Sequence, residues 1–129
     1  MRYGAKAAVV MGVLLPALET YRRGWDTWSS NFTTMFEDYW AGFLLLVCAW
    51  AVARHHPKAT LFLLVVWGAV VGMILIATVG QLEATFRATA LEARNTQVLV
   101  AKLLLLAVSA SGLVSTFRDA VQRMTASER

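Results

Sequence analysis

The feature that most constrains this 129-residue chain is a run of 21 consecutive residues without a charge, from Ala59 to Val79. A helix needs about 20 predominantly apolar residues to cross the hydrocarbon of a bilayer. A second apolar run ends near Ala53, and a third, from about Val98 to Phe117, is interrupted only by Lys102. Lipid offers the backbone no hydrogen-bond partner, so continuous apolar runs of this length predict membrane helices.

Composition supports a lipid environment. Hydrophobic residues make up 58% of the chain and charged residues only 16%, against about 45–50% and about 25% in a typical soluble domain. The net charge is +4, but the basic residues lie at the ends of the apolar runs, where membrane proteins meet lipid headgroups. We therefore expect membrane lipids as partners and no nucleic acid. The single cysteine, Cys48, excludes an intrachain disulfide.

We predict an all-α integral membrane four-helix bundle with up-down topology, forming one domain over residues 1–129. The first membrane helix is expected at about 5–20, the second at about 37–54, the third at about 58–80 with a helical extension to about 93, and the fourth at about 97–118. An amphipathic interfacial segment is expected at about 25–36, and a short cytoplasmic tail at 119–129. The extended hairpin between the third and fourth helices is expected on the outer side.

Two features of this topology leave alternatives. Arg2 and Lys6 precede a short apolar stretch, so the first segment is either a retained helix or a cleaved signal peptide. Lysine and arginine number seven on the side of the termini and five on the other side, which favours cytoplasmic termini. The expected location is a bacterial inner membrane.

Two ridges of small residues are candidates for helix packing. Gly68 and Gly72 form a GxxxG motif, and Ala107, Ser111 and Ser115 repeat at a spacing of four. Small residues let helix backbones approach closely in a membrane. The ridges either pack helices within one chain, which we consider the simpler interpretation, or join copies of the chain into a homo-oligomer.

Charged residues near the membrane boundary form a candidate ion or substrate cluster: Lys102, Glu37, Asp38 and Glu19. An ionisable group inside a membrane helix is a functional candidate by default. The simpler alternatives are that Lys102 extends to the headgroups and that Glu37 and Asp38 are favourable charges near a helix N-terminus.

An aromatic-rich segment precedes and enters the second helix: Trp25, Trp28, Phe32, Phe36, Tyr39 and Trp40. Aromatic rings of this kind favour the membrane–water interface. Spacings of three and four place Trp25, Trp28 and Phe32, with Met35 or Phe36 and then Tyr39, on one helical face.

The chain contains no HExxH, P-loop, GxGxxG or GxSxG motif, and we expect no catalytic residues, metal or cofactor. The leading hypothesis is a non-catalytic accessory or assembly subunit that interacts through its helix faces with itself or with a larger membrane complex. The alternative is a small transporter or channel subunit acting as a homo-oligomer. A weaker alternative is a membrane enzyme acting on a lipid or quinone.

Overall fold

A computed structural model describes residues 2–87 and 93–129. Within the second range, it describes the side chains from residue 96 onward. Every regular element in these ranges is a helix, so the all-α prediction is confirmed. The helices are α1 (Tyr3–Arg23), α2 (Thr27–Ser30), α3 (Phe32–Ala53), α4 (Ala59–Arg87) and α5 (Ala93–Ser127).

Three helices in the described ranges are long and apolar enough to cross a membrane: Phe32–Ala53, Ala59–Arg87 and the Thr96–Ser127 part of α5. Helix α1 is not among them. It is about 31 Å long at 1.5 Å per residue, but Lys6 and Glu19 interrupt its apolar stretch. The expectation of four membrane-crossing helices is therefore supported for three of them by length and composition.

The four long helices pack in a ring, in which α1 contacts α3 and α5, and α4 contacts the same two helices. The most extensive contacts join α1 to α3 and α4 to α5. Within the first pair, Gly12 faces Gly42 while Thr20 faces Tyr39, so the two helices run antiparallel. We call the end near Arg2 and Asp119 the terminal end, and the opposite end the distal end.

The closest helix contact joins Gly12 of α1 to Gly42 of α3. A Cβ atom added to Gly42 would lie 2.6 Å from the carbonyl oxygen of Gly12, and one added to Gly12 would lie 2.9 Å from that of Gly42. Only residues without a side chain allow this approach of two backbones. Close packing of this kind gives dispersion contacts where the hydrophobic effect between helices is absent.

Trp67 of α4 fills the core in the terminal half. Its side chain is fully buried, and its Nε1 donates a hydrogen bond to the carbonyl oxygen of Gly4 at 3.3 Å. A Cβ atom on Gly112 of α5 would lie 2.6 Å from the indole ring. Trp67 thus contacts both α1 and α5, and glycine at position 112 makes room for it.

The predicted packing ridges differ from the observed ones. A Cβ atom added to Gly68 or Gly72 would meet nothing within 4 Å in the described part of the chain. Neither glycine therefore makes a close helix contact within the described part of the chain, with Gly68 exposed and Gly72 partly buried. An intermolecular role for them stays a prediction.

On α5 the buried small residues are Ser109, Gly112, Thr116 and Ala120, rather than those of the predicted ridge. Ala107 is exposed, and Ser111 and Ser115 are partly exposed. The Ser111 hydroxyl does contact α1, through a 2.7 Å hydrogen bond with the Tyr3 hydroxyl.

The aromatic segment does not form one amphipathic helix over about 25–36. Helix α2 has only four residues, and α3 begins at Phe32, five residues before the expected start. The rings point in two directions: Tyr39 turns inward and forms a 2.7 Å hydrogen bond with Thr20, whereas Phe32, Phe36 and Trp40 are exposed. Phe32 and Tyr39 are nevertheless seven residues apart, which places them on nearly the same side of α3, and Trp28 contacts both rings. The shared face therefore stays a prediction.

The exposed rings form a continuous stack along the outside of α3. Phe32 to Phe36, Phe36 to Trp40 and Trp40 to Phe43 are stacked with centroid separations of 5.6, 5.9 and 5.7 Å. Spacings of four, four and three residues place these rings on one side of a helix. Trp28 lies against both Phe32 and Tyr39, and Trp25 lies against Trp28, so the short α2 is attached to α3 through aromatic contacts.

The ends of the third and fourth predicted helices also differ. Helix α5 continues to Ser127, so most of the predicted tail at 119–129 is helical. Asp119 in this extension forms a 2.8 Å ion pair with Arg2, which joins α5 to the start of α1. Helix α4 extends beyond the apolar run to Arg87; the remainder of its predicted extension, at 88–92, lies outside the described residues.

Candidate functional site

A large open cavity lies between the four long helices at the distal end, with a volume of about 1160 Å³. We call it the distal cavity. Each long helix contributes to its wall. The lining residues are Leu15, Leu18, Glu19, Tyr21, Arg22 and Arg23 of α1; Thr34, Glu37 and Asp38 of α3; Met73, Ile74, Ile76 and Ala77 of α4; and Gln97, Val98, Ala101, Lys102 and Leu105 of α5.

The cavity forms where the two helix pairs separate. At the distal end, two side-chain hydrogen bonds join helices of the same pair. Thr20 of α1 bonds with Tyr39 of α3, and Lys102 of α5 bonds with Ala77 of α4. Contacts between the pairs, such as the Arg2–Asp119 ion pair, lie at the terminal end. The molecule is therefore joined at one end and opened at the other.

Helix α1 contributes a buried carboxylate. Glu19 is only 8% exposed, and its Oε1 forms ion pairs with Arg23 and, at 3.5 Å, with Arg22. Spacings of three and four residues bring such pairs together on one helix face. The negative charge of Glu19 is thus more than offset by two arginines of its own helix.

Helix α3 contributes two further carboxylates. Glu37 is exposed and Asp38 is partly buried, and the Asp38 carboxyl lies close enough to Glu19 and Arg22 to interact with both. Neither Glu37 nor Asp38 forms an ion pair with a side chain that the structure describes. This side of the cavity therefore carries two acidic side chains that no basic side chain of their own helix can pair with.

Helix α5 contributes the lysine. Lys102 Nζ donates a hydrogen bond to the carbonyl oxygen of Ala77 at 3.2 Å, and its charge lies within electrostatic range of Glu19 and Asp38. Among the described side chains it forms no ion pair with an acidic residue. Lys102 therefore lines the cavity that the three carboxylates also line, with its ammonium held by the backbone of α4.

The deeper wall of the cavity is apolar. Leu15 and Ile74 belong to the buried core, and Met73 and Leu105 pack against it. Trp67, two helical turns below Ile74 on α4, is fully buried. The distal cavity is therefore polar near the end of the bundle and apolar toward its middle, where the packed core closes it.

The sequence predicted four of the polar residues of this cavity and missed others. Glu19, Glu37, Asp38 and Lys102 all line it. The missed residues are Tyr21, Arg22, Arg23, Thr34 and Gln97. The spacing of the two arginines from Glu19 was a usable signal for them, whereas nothing in the sequence pattern set Thr34 or Gln97 apart.

A second, smaller cavity of about 340 Å³ lies on the outside of α5 near the terminal end. Its wall comes from that helix alone and includes the predicted small residues Ser111 and Ser115, with Arg118 and Asp119. A groove formed by one helix gathers no groups from different elements, so it is a weaker candidate than the distal cavity.

The described residues contain no group of three or more histidine, cysteine, aspartate or glutamate side chains placed to hold a metal ion. Comparisons with known proteins give no relative: no protein family matches the chain, and neither a curated protein nor a solved structure is similar to it. The geometry of the distal cavity is therefore the main basis for a functional proposal.

Proposed function

We propose that this chain forms a four-helix, up-down bundle in a bacterial inner membrane, with both termini in the cytoplasm. Large hydrophobic side chains exposed on the outside of the bundle support this environment: Val65 is 70%, Ile76 77% and Leu104 64% exposed. Extended apolar surfaces mark membrane or protein contacts. The glycine- and alanine-rich face of α1 lies in the core, which supports α1 as a retained fourth helix rather than a removable signal. In this orientation the distal cavity opens to the outside of the cell.

Within that membrane, the function that the geometry supports best is ligand binding as a subunit of a small transporter or channel. The observation that carries this proposal is the convergence of Glu19, Glu37, Asp38 and Lys102 on one open cavity. Cavities with a few converging polar groups are the usual small-molecule sites. The packed core around Trp67 closes the lower end, so one copy would bind a solute and would conduct it only after a rearrangement or together with other copies.

Cysteine accessibility tests both the membrane topology and the cavity. Cys48 is buried and is replaced by alanine; Ala101→Cys in the cavity wall is then compared with Val65→Cys on the outer face of α4. A membrane-impermeant thiol reagent is added to intact spheroplasts. We expect modification of Ala101→Cys and none of Val65→Cys.

If the reagent modifies Ala101→Cys only in inverted vesicles, the orientation is reversed and the cavity stands. If it modifies this cysteine from neither side, the proposed water-filled cavity is refuted.

A specific observation favours a second candidate, the accessory subunit that interacts through a helix face. Gly68 and Gly72 meet nothing within 4 Å in the described chain, yet this spacing is typical of close helix contacts in membranes. Gly68→Ile would block such a contact, and Ala69→Ile, on the adjacent and also exposed position, is the matched control. In mild detergent we expect Gly68→Ile to shift the protein to a smaller complex and Ala69→Ile to leave it unchanged. Equal complexes for both variants and wild type would refute this role for the glycine face.

A further inference from the structure

The charges of the distal cavity are separated by helix. Glu19 pairs with Arg22 and Arg23 on its own helix, and Arg22 also lies close enough to Asp38 to interact with it. The remaining acidic groups, Glu37 and Asp38, belong to α3, while the ammonium of Lys102 belongs to α5. A ligand that carries a positive and a negative group on one small head could therefore pair with the acidic groups of α3 and with Lys102 of α5 at the same time.

The cavity also offers an apolar surface that a water-soluble ion would not use. Below the charged groups the wall is formed by Leu15, Met73, Ile74 and Leu105. Burial of apolar area is worth about 25 cal/mol per Å², so a ligand with a hydrocarbon part gains binding energy here that a bare cation or anion cannot gain.

The cavity reaches the outer surface of the bundle between the helix pairs. Leu18, Tyr21 and Ile76 line it and are 39%, 90% and 77% exposed. In a membrane, these side chains adjoin lipid. A hydrocarbon chain could therefore extend from the cavity into the bilayer, and the ligand need not cross water to arrive.

From these three observations, and resting on the proposed binding function, we infer that the distal cavity binds a zwitterionic amphiphile. Its head carries an ammonium group, bound by Glu37 and Asp38, and a phosphate group, bound by Lys102 and the side-chain amide of Gln97. Its hydrocarbon part lies against the apolar wall. The volume of about 1160 Å³ exceeds the usual range of about 300–1000 Å³ for small-ligand cavities, which suits a headgroup with part of its chains.

The same headgroup chemistry is present in a membrane phospholipid and in a free phosphorylated amine, so the test includes both. Purified protein in mild detergent is titrated with phosphatidylethanolamine, phosphatidylglycerol and free phosphoethanolamine, and bound species are counted by native mass spectrometry. We expect phosphatidylethanolamine to bind at least about tenfold more tightly than either other probe, since each tenfold step corresponds to about 1.4 kcal/mol.

Charge-neutralising variants then test which residues bind the ammonium group of the ligand and which bind its phosphate group. Lys102→Met should weaken the binding of both phospholipids about tenfold or more, as expected from loss of a hydrogen bond to a charged group. The double variant Glu37→Gln, Asp38→Asn should weaken the binding of phosphatidylethanolamine alone. The protein would then no longer prefer phosphatidylethanolamine over phosphatidylglycerol. The matched controls are Lys58→Met in the loop before α4 and Glu83→Gln, whose exposed ion pair with Arg87 lies outside the cavity. Both controls should bind like wild type.

A second readout guards against variants that fail to fold. Phosphatidylethanolamine should slow the reaction of the thiol reagent with Ala101→Cys in a chain whose only other change is Cys48→Ala, and phosphatidylglycerol should slow it less. Equal protection by both lipids would overturn the inference.

Other outcomes separate this inference from the proposed function. If Ala101→Cys is reactive but wild type binds both phospholipids equally, the binding cavity stands and the zwitterion is refuted. If free phosphoethanolamine binds as tightly as the phospholipid, the hydrocarbon part of the inference is refuted. If Lys102→Met binds like Lys58→Met, the phosphate position is refuted. An unreactive Ala101→Cys would refute the proposed function and this inference together.

Discussion

The contact between Gly12 and Gly42 predicts that Gly42→Ala destabilises the bundle. The added Cβ would lie 2.6 Å from the carbonyl oxygen of Gly12, whereas ordinary van der Waals contact begins at 3.4 Å. The shortfall is 3.4 − 2.6 = 0.8 Å. The atom in the way belongs to the backbone of α1, so a side-chain rotation cannot relieve the contact and the two helices must move apart.

The cost follows from that displacement. A radial gap of about 0.5–1 Å forfeits roughly a quarter to a half of the dispersion energy of each contact, and overpacking costs about 1–3 kcal/mol. Alanine recovers about 0.5–1 kcal/mol through its better helix propensity. The difference of these terms runs from about 0 to about 2.5 kcal/mol, and we expect Gly42→Ala to lower the free energy of unfolding by about 1 kcal/mol, near the middle of that range.

The assay is reversible unfolding in mild detergent, followed by circular dichroism. Gly68→Ala is the matched control, because a Cβ atom there meets nothing within 4 Å in the described chain; it should be as stable as wild type or slightly more stable. A Gly42→Ala protein as stable as Gly68→Ala would show that α1 and α3 do not approach as closely as we argue.

Three further substitutions test single contacts by the same unfolding measurement. Trp67→Phe removes the Nε1 donor to Gly4 and part of a buried ring, and should cost about 1–3 kcal/mol; no change would contradict the role of Trp67 in joining α4 to α1. Ser109→Ala removes a fully buried hydroxyl without a partner among the described residues, and should leave stability unchanged or raise it by up to about 1 kcal/mol; a clear loss would mean that the hydroxyl has a partner. Asp119→Asn breaks the partly exposed ion pair with Arg2 and should cost less than about 1 kcal/mol; a larger loss would place this contact at the centre of the fold.

The helical segments could be predicted from the sequence because lipid imposes a simple rule on length and polarity. The 21 uncharged residues from Ala59 to Val79 lie within α4, and the apolar run after Val98 lies within α5. The ends were harder. Helices α4 and α5 continue past their apolar parts to Arg87 and Ser127. The position of these ends depends on helix propensity and on contacts such as the Arg2–Asp119 ion pair, which the length of the apolar run does not predict.

The packing faces could not be predicted from one helix at a time. Gly68 and Gly72 have the favourable spacing, but the described chain leaves their face open. Gly12 and Gly42 lie on different helices and have no shared motif, so their contact depends on which helices pair and how each is rotated. Each helical residue points about 100° from the one before it, so Ser109 lies about 200° around α5 from Ala107, and the burial of Ser109 places the predicted Ala107 on the opposite, exposed side.

The sequence predicted which residues form the polar cluster, but it did not predict the cavity that they line. The alternation of membrane helices placed Lys102 on the same side as Glu19, Glu37 and Asp38. The sequence could not indicate that the helix pairs separate there and leave a cavity, because that separation depends on the packing of Trp67 and the glycines far from the charges. It also could not indicate that Lys102 Nζ bonds to the carbonyl oxygen of Ala77.

The fully buried Trp67 has a mechanical consequence. From Trp67 to Ala77 the helix rises about 15 Å, at about 1.5 Å per residue. A tilt of one helix pair by about ten degrees around the indole would therefore displace the far tips by about 3 Å, roughly the diameter of a water molecule. Such a lever needs no unwinding and no rotamer exchange in the interior, so a small change in the tilt of α4 and α5 would be enough to change the width of the opening.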